Sequence, residues 1–364
     1  MLAFLSISCF KSRVVTPINQ QLIANRLNIS RTTVSRCFTN HAGINPKTRS
    51  KVFALAAKLG YQYLQPRTPA KDANKTRPIG VLICSEVEEF NRTDYESPGV
   101  EILPGISEFA QLHHWQIEVH FVSPLATSIS DPSYSKIAAL KRRLWNGLIL
   151  MYPFSPRIIE ELVVRFSCVS LVEQYGRVAV DSVDVDHYAG ISNLFDRLRL
   201  NGHTRIGFFS RRYAVEAVWS YRRFSAYVEK LARLGWHYYE DDVIHLDPST
   251  PQTVEESYHK VVQQIKSGVT AWICAADHQA YDLIAALKKL GYRVPADVSV
   301  TGFDGILRPA GAPALETVRI PYYDIGFAAS RRLLDIMHKR FDAPQQILLG
   351  CRLQEGETIG PRRP

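Results

Sequence analysis

The chain of 364 residues carries 44 Lys and Arg against 35 Asp and Glu, a formal net charge of +9 at pH 7. No apolar run approaches the ~18 residues that a membrane span requires, so we expect no membrane partner. The six cysteines are scattered and include no C-x-x-C pair, which favours buried thiols in a reducing cytosol over a disulfide framework or a zinc site. These features predict a cytoplasmic protein without a metal site.

The positive charge is concentrated at the amino-terminal end. The first 77 residues hold 13 Lys and Arg against a single acid, Asp72, a net charge of +12, whereas the remaining 287 residues hold 31 basic and 34 acidic side chains. A short cationic segment ahead of a near-neutral body is typical of proteins that neutralise phosphates. A solvated basic tail is the alternative, but the segment is periodic and capped rather than low in complexity.

Residues 1–10 have an apolar character that suggests a signal peptide. However, the basic residues Lys11 and Arg13 follow the apolar stretch instead of preceding it, and no small-x-small cleavage site comes next. We therefore expect a disordered extension over residues 1–15.

Two short helices joined by a tight turn are predicted next. Asn19 is a favourable N-cap for a helix that ends at Leu27, and Asn28 tolerates the left-handed conformation that stops a helix. Ser30 is the expected N-cap of a second helix over 31–38. The turn of about three residues is the length that a helix-turn-helix requires.

A third helix is predicted from Asn45-Pro46, an N-cap followed by proline at the first helical position, to Leu59, with Gly60 as its stop. Three short helices around one small core predict a DNA-reading domain. We expect this domain to cover residues 16–63.

The stretches 29–36, 45–52 and 59–61 resemble the DNA-binding domain of the lactose/galactose repressor (LacI/GalR) family. The most telling match is Val34-Ser35-Arg36 at its place after the turn. In that family the second helix enters the major groove, and its first two exposed positions read base edges.

The resemblance implies particular DNA contacts. The residues expected at base edges are Arg31, Thr32 and Arg36. The residues expected near phosphates are Ser30, Thr33, Asn45 and Thr48. An arginine side chain can pair bidentately with guanine, although a phosphate clamp without sequence preference is the alternative for both arginines. Mainly non-specific charge is expected from Lys47, Arg49 and Lys51.

The segment 64–77 departs from the family. There the family has a run rich in alanine and leucine that folds into a hinge helix and wedges a leucine into the minor groove. Pro66 and Pro69 remove amide donors and disfavour helix in the residues before them. We therefore expect an extended basic linker, in which Arg67 and Lys71 follow phosphates or the minor groove.

From Pro78 onwards, apolar strands alternate with helices. The first strand, 79–84, is continuously apolar, as expected of a parallel strand that is buried on both faces. Helices are expected over 102–113, 136–144, 188–201, 221–234, 254–267 and 278–291, and further strands over 116–121, 147–150, 169–172, 205–209, 243–246, 271–274 and 298–301.

This repetition runs over about 280 residues, which is too long for one typical core. We predict an α/β effector-binding and dimerisation domain over 78–364, built like a periplasmic binding protein from two parallel-sheet subdomains. The first is expected to cover about 78–184 and 321–341. The second is expected to cover about 185–320 and 342–360.

The body resembles the same family over 184–190 with 202–208, over 294–304 and over 315–321. The order and spacing of these motifs are more specific than any one of them. The resemblance implies a cleft between the two subdomains for a small effector, expected to be a sugar or sugar derivative.

The match to the family is less complete for the residues expected in the cleft. Asp304 matches the carboxylate that accepts hydrogen bonds from ligand hydroxyls, with a structural cap as the alternative. Asp277 also matches, but an aspartate there is more often an N-cap for the following helix. The family's effector arginine precedes a Gly-Phe pair by three residues. Aligning Phe224 with that phenylalanine puts Ser220 at the arginine position, with Arg222 as the neighbouring candidate.

Together these features predict a cytoplasmic, homodimeric regulator, expected to be a repressor, of a palindromic double-stranded DNA operator. Effector binding is expected to change operator affinity by linkage. The alternative is a solute-binding receptor or an enzyme on the same α/β scaffold. No G-x-S-x-G, P-loop, H-E-x-x-H or paired-carboxylate motif favours an enzyme, so we expect no catalytic residue and no cofactor.

Overall fold

The computed structural model describes most of the chain. The described residues are 18–39, 41, 43–59, 61, 78–85, 97–211, 218–245, 253–305, 308–340 and 343–362. The predicted extension over 1–15 and the predicted linker over 64–77, with Arg67 and Lys71, lie outside these residues.

The amino-terminal part forms three helices, α1 (Gln20–Leu27), α2 (Arg31–Phe38) and α3 (Pro46–Leu59). Asn19 caps α1 by accepting a hydrogen bond from the Leu22 amide at 2.9 Å. Asn28 ends α1 in the left-handed conformation, with φ 53° and ψ 45°. Ser30 caps α2 by accepting a hydrogen bond from the Thr33 amide at 3.0 Å. The three predicted helices and the caps at Asn19, Asn28 and Ser30 are confirmed, and the predicted stop at Gly60 lies outside the described residues.

These helices enclose a small apolar core. Its buried members are Ile23, Ala24, Val34, Cys37, Val52 and Ala56. Phe38 is half-buried at the edge of this core, where its ring centroid lies 5.6 Å from that of Phe53 and 5.5 Å from that of Tyr61. The three-helix unit therefore has a core of its own, as its periodicity predicts.

The body alternates strands and helices. The strands are β1 (Ile79–Cys84), β2 (Ile117–Val122), β3 (Gly147–Met151), β4 (Cys168–Leu171), β5 (Asp181–Val185), β6 (Ile206–Ser210), β7 (Val243–His245), β8 (Ala271–Cys274), β9 (Ser299–Thr301), β10 (Thr317–Arg319), β11 (Gln346–Leu349) and β12 (Arg352–Gln354). The helices are α4 (Pro98–Leu112), α5 (Pro132–Ser135), α6 (Ala138–Lys141), α7 (Pro156–Val163), α8 (His187–Leu200), α9 (Val218–Leu234), α10 (Val254–Lys266), α11 (Asp277–Lys289) and α12 (Tyr322–Met337).

The strands form two parallel sheets and a short ribbon. The first sheet has the order β11-β5-β4-β3-β1-β2, the second has the order β7-β6-β8-β9, and β10 pairs antiparallel with β12. β1 is buried along its whole length, because helices cover both faces of a parallel sheet. The predicted fold class, a helix-turn-helix domain followed by a two-sheet α/β body, is confirmed.

Several details of the predicted body differ from the structure, and α12, β10 and β12 were not predicted. Of the helix expected over 136–144 only the single turn α6 forms, and α5 precedes that range, because Ile137 between the two turns is extended, with ψ 100°. β5 was not predicted, since its polar side chains interrupt an apolar run: Asp181 accepts a hydrogen bond from Arg332 Nε at 2.6 Å inside the protein. α7 was also not predicted.

The carboxy-terminal boundary between the subdomains also differs from the expectation. β11 pairs in parallel with β5, with Gln346 opposite Ser182. Residues 346–349 therefore belong to the first sheet, although the sequence assigns 342–360 to the second subdomain. β11 is a partly exposed edge strand with a run of only three apolar residues, 347–349.

α4 packs closely against α12. A Cβ atom at Gly105 would lie 2.0 Å from the Tyr323 carbonyl oxygen, and one at Gly326 would lie 2.3 Å from the Ile102 carbonyl oxygen. Only glycine permits this approach of two helix backbones. α4 is thus held firmly on the first subdomain. In the described parts of the chain, none of the helices combines the length and the apolar character needed to cross a membrane.

Candidate DNA-binding surface and interdomain cleft

The outer face of α2 presents the three residues that the sequence predicts at base edges. Arg31, Thr32 and Arg36 are all exposed, while Val34 and Cys37 on the other face are buried in the three-helix core. α2 is therefore positioned by its apolar side, and its polar side is available to enter a groove.

The residues predicted near phosphates lie at or near the starts of α2 and α3. The hydroxyl groups of Ser30 and Thr33 are 2.9 Å apart, and Asn45 Oδ1 accepts a hydrogen bond from the Lys47 amide at 2.8 Å. Thr48 is half-buried one turn into α3. Helix N-termini carry partial positive charge and unpaired amides, so this placement suits anionic oxygens.

Arg49 does not provide exposed charge, and that expectation is wrong. Its side chain is 1% exposed. The guanidinium donates from Nη1 to Gln111 Oε1 at 3.1 Å and from Nη2 to the His41 carbonyl at 2.8 Å. Lys47 and Lys51 are exposed as predicted.

Between the two sheets, Arg223 of α9 forms a buried ion pair with Asp304. Arg223 Nη1 donates to Asp304 Oδ1 at 3.0 Å and also to the Ala275 carbonyl. The guanidinium carbon lies 3.9 Å from the ring centroid of Phe303 and 4.6 Å from that of Trp219. An arginine between two aromatic faces and beside a carboxylate is held in one place.

The Asp304 carboxylate contacts side chains and also the backbone amide of Asp277, at the start of α11. Its Oδ1 also accepts a hydrogen bond from the Tyr322 hydroxyl at 3.2 Å. Burial raises the pKa of Asp304 above its ordinary value, and the neighbouring Arg223 opposes that rise. Hydrogen bonds from Tyr322 and from the Asp277 amide oppose it as well.

His187 extends this pair toward the first sheet. His187 Nδ1 accepts a hydrogen bond from Arg223 Nε at 3.3 Å, and Nε2 lies 3.1 Å from Asp184 Oδ2. Gln174 Nε2 donates to the same Asp184 oxygen at 3.1 Å. Burial lowers the pKa of His187, which is consistent with a neutral ring that donates from Nε2 and accepts at Nδ1. Five side chains thus link the two subdomains across the cleft.

Glu173 and Arg222 have buried polar atoms near this network. Glu173 is 1% exposed, and burial, followed by repulsion from Asp184, raises its pKa to about 8. Among the described residues, Glu173 Oε2 and Arg222 Nε have no hydrogen-bond partner. Glu173 lines a cavity of about 280 Å³, together with Pro124, Leu125, Ala126, Thr127, Phe154, Ser155, Pro156, Tyr175 and Val218.

Of the predicted effector residues, Asp277 lies beside Asp304, whereas Ser220 has other partners. Ser220 Oγ lies 2.6 Å from Ser210 Oγ, so Ser220 contributes to the packing of α9 against β6. Asp277 Oδ1 accepts a hydrogen bond from Thr317 Oγ1 at 2.5 Å. The alternative role for Asp277 as an N-cap is wrong, because Ala276 holds the cap position of α11.

Arg223 was missed by the sequence analysis, although a signal for it exists. It precedes the pair Ala226-Tyr227 by three residues. A small residue followed by an aromatic residue is the same pattern as Gly-Phe, so an alignment on Ala226-Tyr227 selects Arg223. The alignment on Phe224 is shifted by three residues and selects Ser220.

No group of three or more His, Cys, Asp or Glu side chains in the described part of the chain is arranged to hold a metal ion. Burial raises the pKa of Cys37 to about 11, and all the cysteines that the structure describes are free thiols.

Two family models match the chain. Residues 21–63 match the model for bacterial regulatory proteins of the lacI family. Residues 195–359 match the model for a periplasmic binding protein-like domain. The lacI-family match covers the three amino-terminal helices. The periplasmic binding protein-like match covers the sheet β7-β6-β8-β9 and the later segment in which the chain returns to the other sheet.

Curated relatives match over nearly the whole chain. The HTH-type transcriptional regulator RegA of Clostridium saccharobutylicum is 26% identical over 347 residues, which are 93% of this chain and 98% of RegA. The HTH-type transcriptional repressor CytR of Escherichia coli (strain K12) is 26% identical over 341 residues, 91% of this chain and 93% of CytR.

Two solved structures share the fold. A complex of the transcriptional regulator CelR with cellobiose has a TM-score of 0.65 at 21% identity and covers 94% of this chain and 100% of CelR. The Lac repressor dimer bound to operator and the anti-inducer ONPF has a TM-score of 0.64 at 21% identity and covers 95% of this chain and 100% of that one. The order of a helical domain and a two-sheet body is therefore common to all three.

Proposed function

Because this chain belongs to the LacI family of bacterial regulatory proteins, we propose that it represses transcription by binding a palindromic operator as a homodimer in the cytoplasm. The observation that carries the proposal is the exposed face of α2, where Arg31, Thr32 and Arg36 stand on a helix fixed by its cap and its buried side. One such helix reads one half-site, so a palindrome requires two chains.

In this proposal α2 lies in the major groove and reads bases. Arg31 and Arg36 supply bidentate donors for guanine, and Thr32 contacts a neighbouring base. Ser30, Thr33, Asn45 and Thr48 bind phosphates and fix the register of α2, while Lys47 and Lys51 add attraction that is independent of sequence.

The effector site in this proposal is the cleft around Arg223 and Asp304. Ligand hydroxyls would donate hydrogen bonds to Asp304 and accept them from Arg223, and Trp219 and Phe303 would provide apolar faces. The CelR structure holds cellobiose, which supports a sugar or sugar derivative as the class of ligand. Asp277 bonds to Thr317, so we propose an indirect role for it, and we assign Arg222 to the same cleft wall as Glu173.

Effector binding would change DNA affinity through the two subdomains. A ligand between the sheets competes with or reinforces the contacts among Arg223, Asp304 and His187, and so favours one arrangement of the sheets over another. By linkage, the effector and the operator must alter each other's affinity by the same factor.

Selection from a pool of random DNA duplexes tests this proposal. The full chain should enrich a palindrome with two half-sites, and a chain that begins at residue 78 should enrich nothing. A solute-binding receptor or an enzyme on the same scaffold would give no enrichment with either chain, and that result would contradict the proposal.

A further inference from the structure

The three-helix domain, residues 18–61, is packed against the first subdomain. We call it the head, and we call its contact with α4 and β2 the docking interface. Ser50 Oγ of α3 lies 3.0 Å from Ser107 Oγ of α4, and both residues are buried. One turn further along α4, Gln111 accepts the hydrogen bond from Arg49. Two adjacent residues of α3 therefore bind one face of α4.

The rest of the docking interface is apolar and tightly filled. Phe53 of α3 is 6% exposed and belongs to the same core cluster as Phe109, Ala110 and Trp115 of the body. One small cavity of about 10 Å³ lies at this interface, lined by Arg49 and Phe53 of the head and by Ala110 and Trp115 of the body, and it is at the lower limit for a single water molecule. The head thus shares a packed core with the first subdomain.

The docking interface defines one orientation of the head. Of the two acceptors of the buried Arg49 guanidinium, Gln111 lies on the body and the His41 carbonyl lies on the head. A rotation of the head would break the bond to Gln111 and separate Ser50 from Ser107, and the loss of buried hydrogen bonds is unfavourable. Arg31, Thr32 and Arg36 stay exposed in this arrangement. The docked head can therefore still present α2 to DNA.

The other end of α4 reaches the cleft. Glu101, in the first turn of α4, accepts hydrogen bonds from Arg319 Nη2 at 2.6 and 2.5 Å. Arg319 also donates from Nη1 to the carbonyl of Gly305, the residue after Asp304. One helix of 15 residues, about 22 Å long, thus joins the neighbourhood of the ion pair to the head.

We propose that α4 couples the cleft to the DNA-reading head by direct docking, in place of a linker that folds into a hinge helix. The proposal rests on the proposed function, since it assumes that α2 reads DNA. The sequence supports it independently, because Pro66 and Pro69 disfavour a helix in the linker. A head fixed on α4 moves whenever α4 moves. A displacement of α4 in each chain of a dimer would therefore change the distance between the two heads.

The first test measures how strictly the full-length dimer depends on half-site spacing. One base pair inserted at the centre of the selected palindrome moves the half-sites apart and rotates them, so a fixed head should lose ~tenfold or more in affinity. Arg49→Met removes the docking hydrogen bond to Gln111 and should reduce this loss to about threefold or less. Lys51→Met is the matched control, because Lys51 is exposed two residues away. It should weaken binding to all spacings alike.

Gln111→Ala repeats the test from the side of the body, so that the fold of the head is untouched. Retention of the full spacing dependence in both Arg49→Met and Gln111→Ala would overturn the proposal. Failure of the unaltered chain to bind any palindrome would instead overturn the proposed function, so the two failures are distinguishable.

A disulfide lock tests whether the docked head is the one that binds DNA. Ser50→Cys with Ser107→Cys, in a chain that also carries Cys9→Ser, places two thiols close enough to bond. The oxidised protein should bind the selected operator with its spacing dependence unchanged. Loss of operator binding on oxidation, restored by reduction, would show that the docked head is inactive and would overturn the proposal. The control pair, Lys51→Cys with Ser107→Cys, should not cross-link.

A double-mutant cycle tests the connection to the cleft. Glu101→Gln weakens the bond to Arg319 without touching the head, and we expect it to change the relative affinities for the differently spaced duplexes by about threefold or more. The same change made in Arg49→Met should have almost no further effect. Equal effects in both backgrounds would show that α4 does not carry the coupling.

Discussion

Arg223 and Asp304 illustrate how the cleft depends on single residues. Each is buried, and each satisfies the other's charge. A buried ion pair contributes modestly to stability, but removal of one partner is expensive because the other charge remains uncompensated. The pair is therefore available to exchange partners with a ligand, provided that the ligand satisfies both groups.

We predict that Asp304→Ala lowers the free energy of unfolding by about 3–5 kcal/mol. Arg223→Met in the same chain should recover part of this loss, because no unpaired charge is then buried. Urea unfolding of the unaltered chain, the two single variants and the double variant measures the coupling. Strictly additive losses would contradict the pairing.

Glu173 makes stability depend on pH. Its pKa is about 8 in the folded protein, against an ordinary value of 4.5. Between these values the folded state binds a proton that the unfolded state does not, so stability falls as the pH rises from about 4.5 to about 8.

Glu173→Gln should remove this dependence. At pH 8.5 the variant should exceed the unaltered chain in free energy of unfolding by up to about 5 kcal/mol, and the difference should vanish below about pH 4.5. Unfolding in urea at a series of pH values measures it. A difference that is constant with pH would show that Glu173 is ionised in the folded protein near neutrality.

Base and phosphate contacts on the head should respond differently to substitution. Arg31→Ala should cost about 1–3 kcal/mol on the selected operator and flatten discrimination at one base position. Lys51→Ala should weaken specific and random duplexes alike and reduce the salt slope by about one unit. Titrations against both duplexes at several salt concentrations separate the two effects. If Arg31→Ala leaves the ratio of specific to random binding unchanged, α2 does not read bases through this residue.

At the scale of elements, local chemistry made the head predictable. The caps Asn19, Asn28 and Ser30 act within four residues of themselves, so the sequence alone specifies them. The docking of the head is different. Arg49 shares a helical face with Val52, Phe53 and Ala56, and this periodicity marks it as inward-facing. However, its acceptor on α4 is 62 residues away in sequence, so no local pattern indicates it.

In the body too, elements marked by a local pattern were predicted, and features that depend on distant partners were not. Strands that are continuously apolar were predicted, whereas β5 escaped because Asp181 and Asp184 are buried with partners that lie elsewhere in the chain or beyond the strand. In the cleft, Asp304 was predicted by its motif. Arg223 was missed because a shift of three residues moves the candidate back by about one turn along the same face of α9, to Ser220, which bonds to Ser210.

The linker sequence leads to a prediction about how much the operator is bent. We predict that residues 64–77 stay extended on DNA and that the operator is bent little, because Pro66 and Pro69 withhold the amides that a hinge helix needs. Replacement of both prolines by alanine should leave operator affinity unchanged or modestly tighter. A circular-permutation gel assay that shows a strong central bend, abolished by Leu64→Ala, would contradict an extended linker.

At the scale of the whole molecule, the head and the body differ in charge and in fold. The basic head supplies attraction to DNA, and the near-neutral body supplies a cleft with buried charges and the helix that touches the head. Dimerisation would double the number of base and phosphate contacts, so specific affinity should greatly exceed that of one half-site.

The most direct test of this account is the ratio of affinities for the selected operator and for a random duplex, measured with the full chain at physiological salt. A dimeric reader of a palindrome should bind its operator at least ~10³-fold more tightly than random DNA. A ratio near one, with both affinities falling equally as salt rises, would mean that the head is only a cationic patch, and it would contradict a sequence-specific regulator.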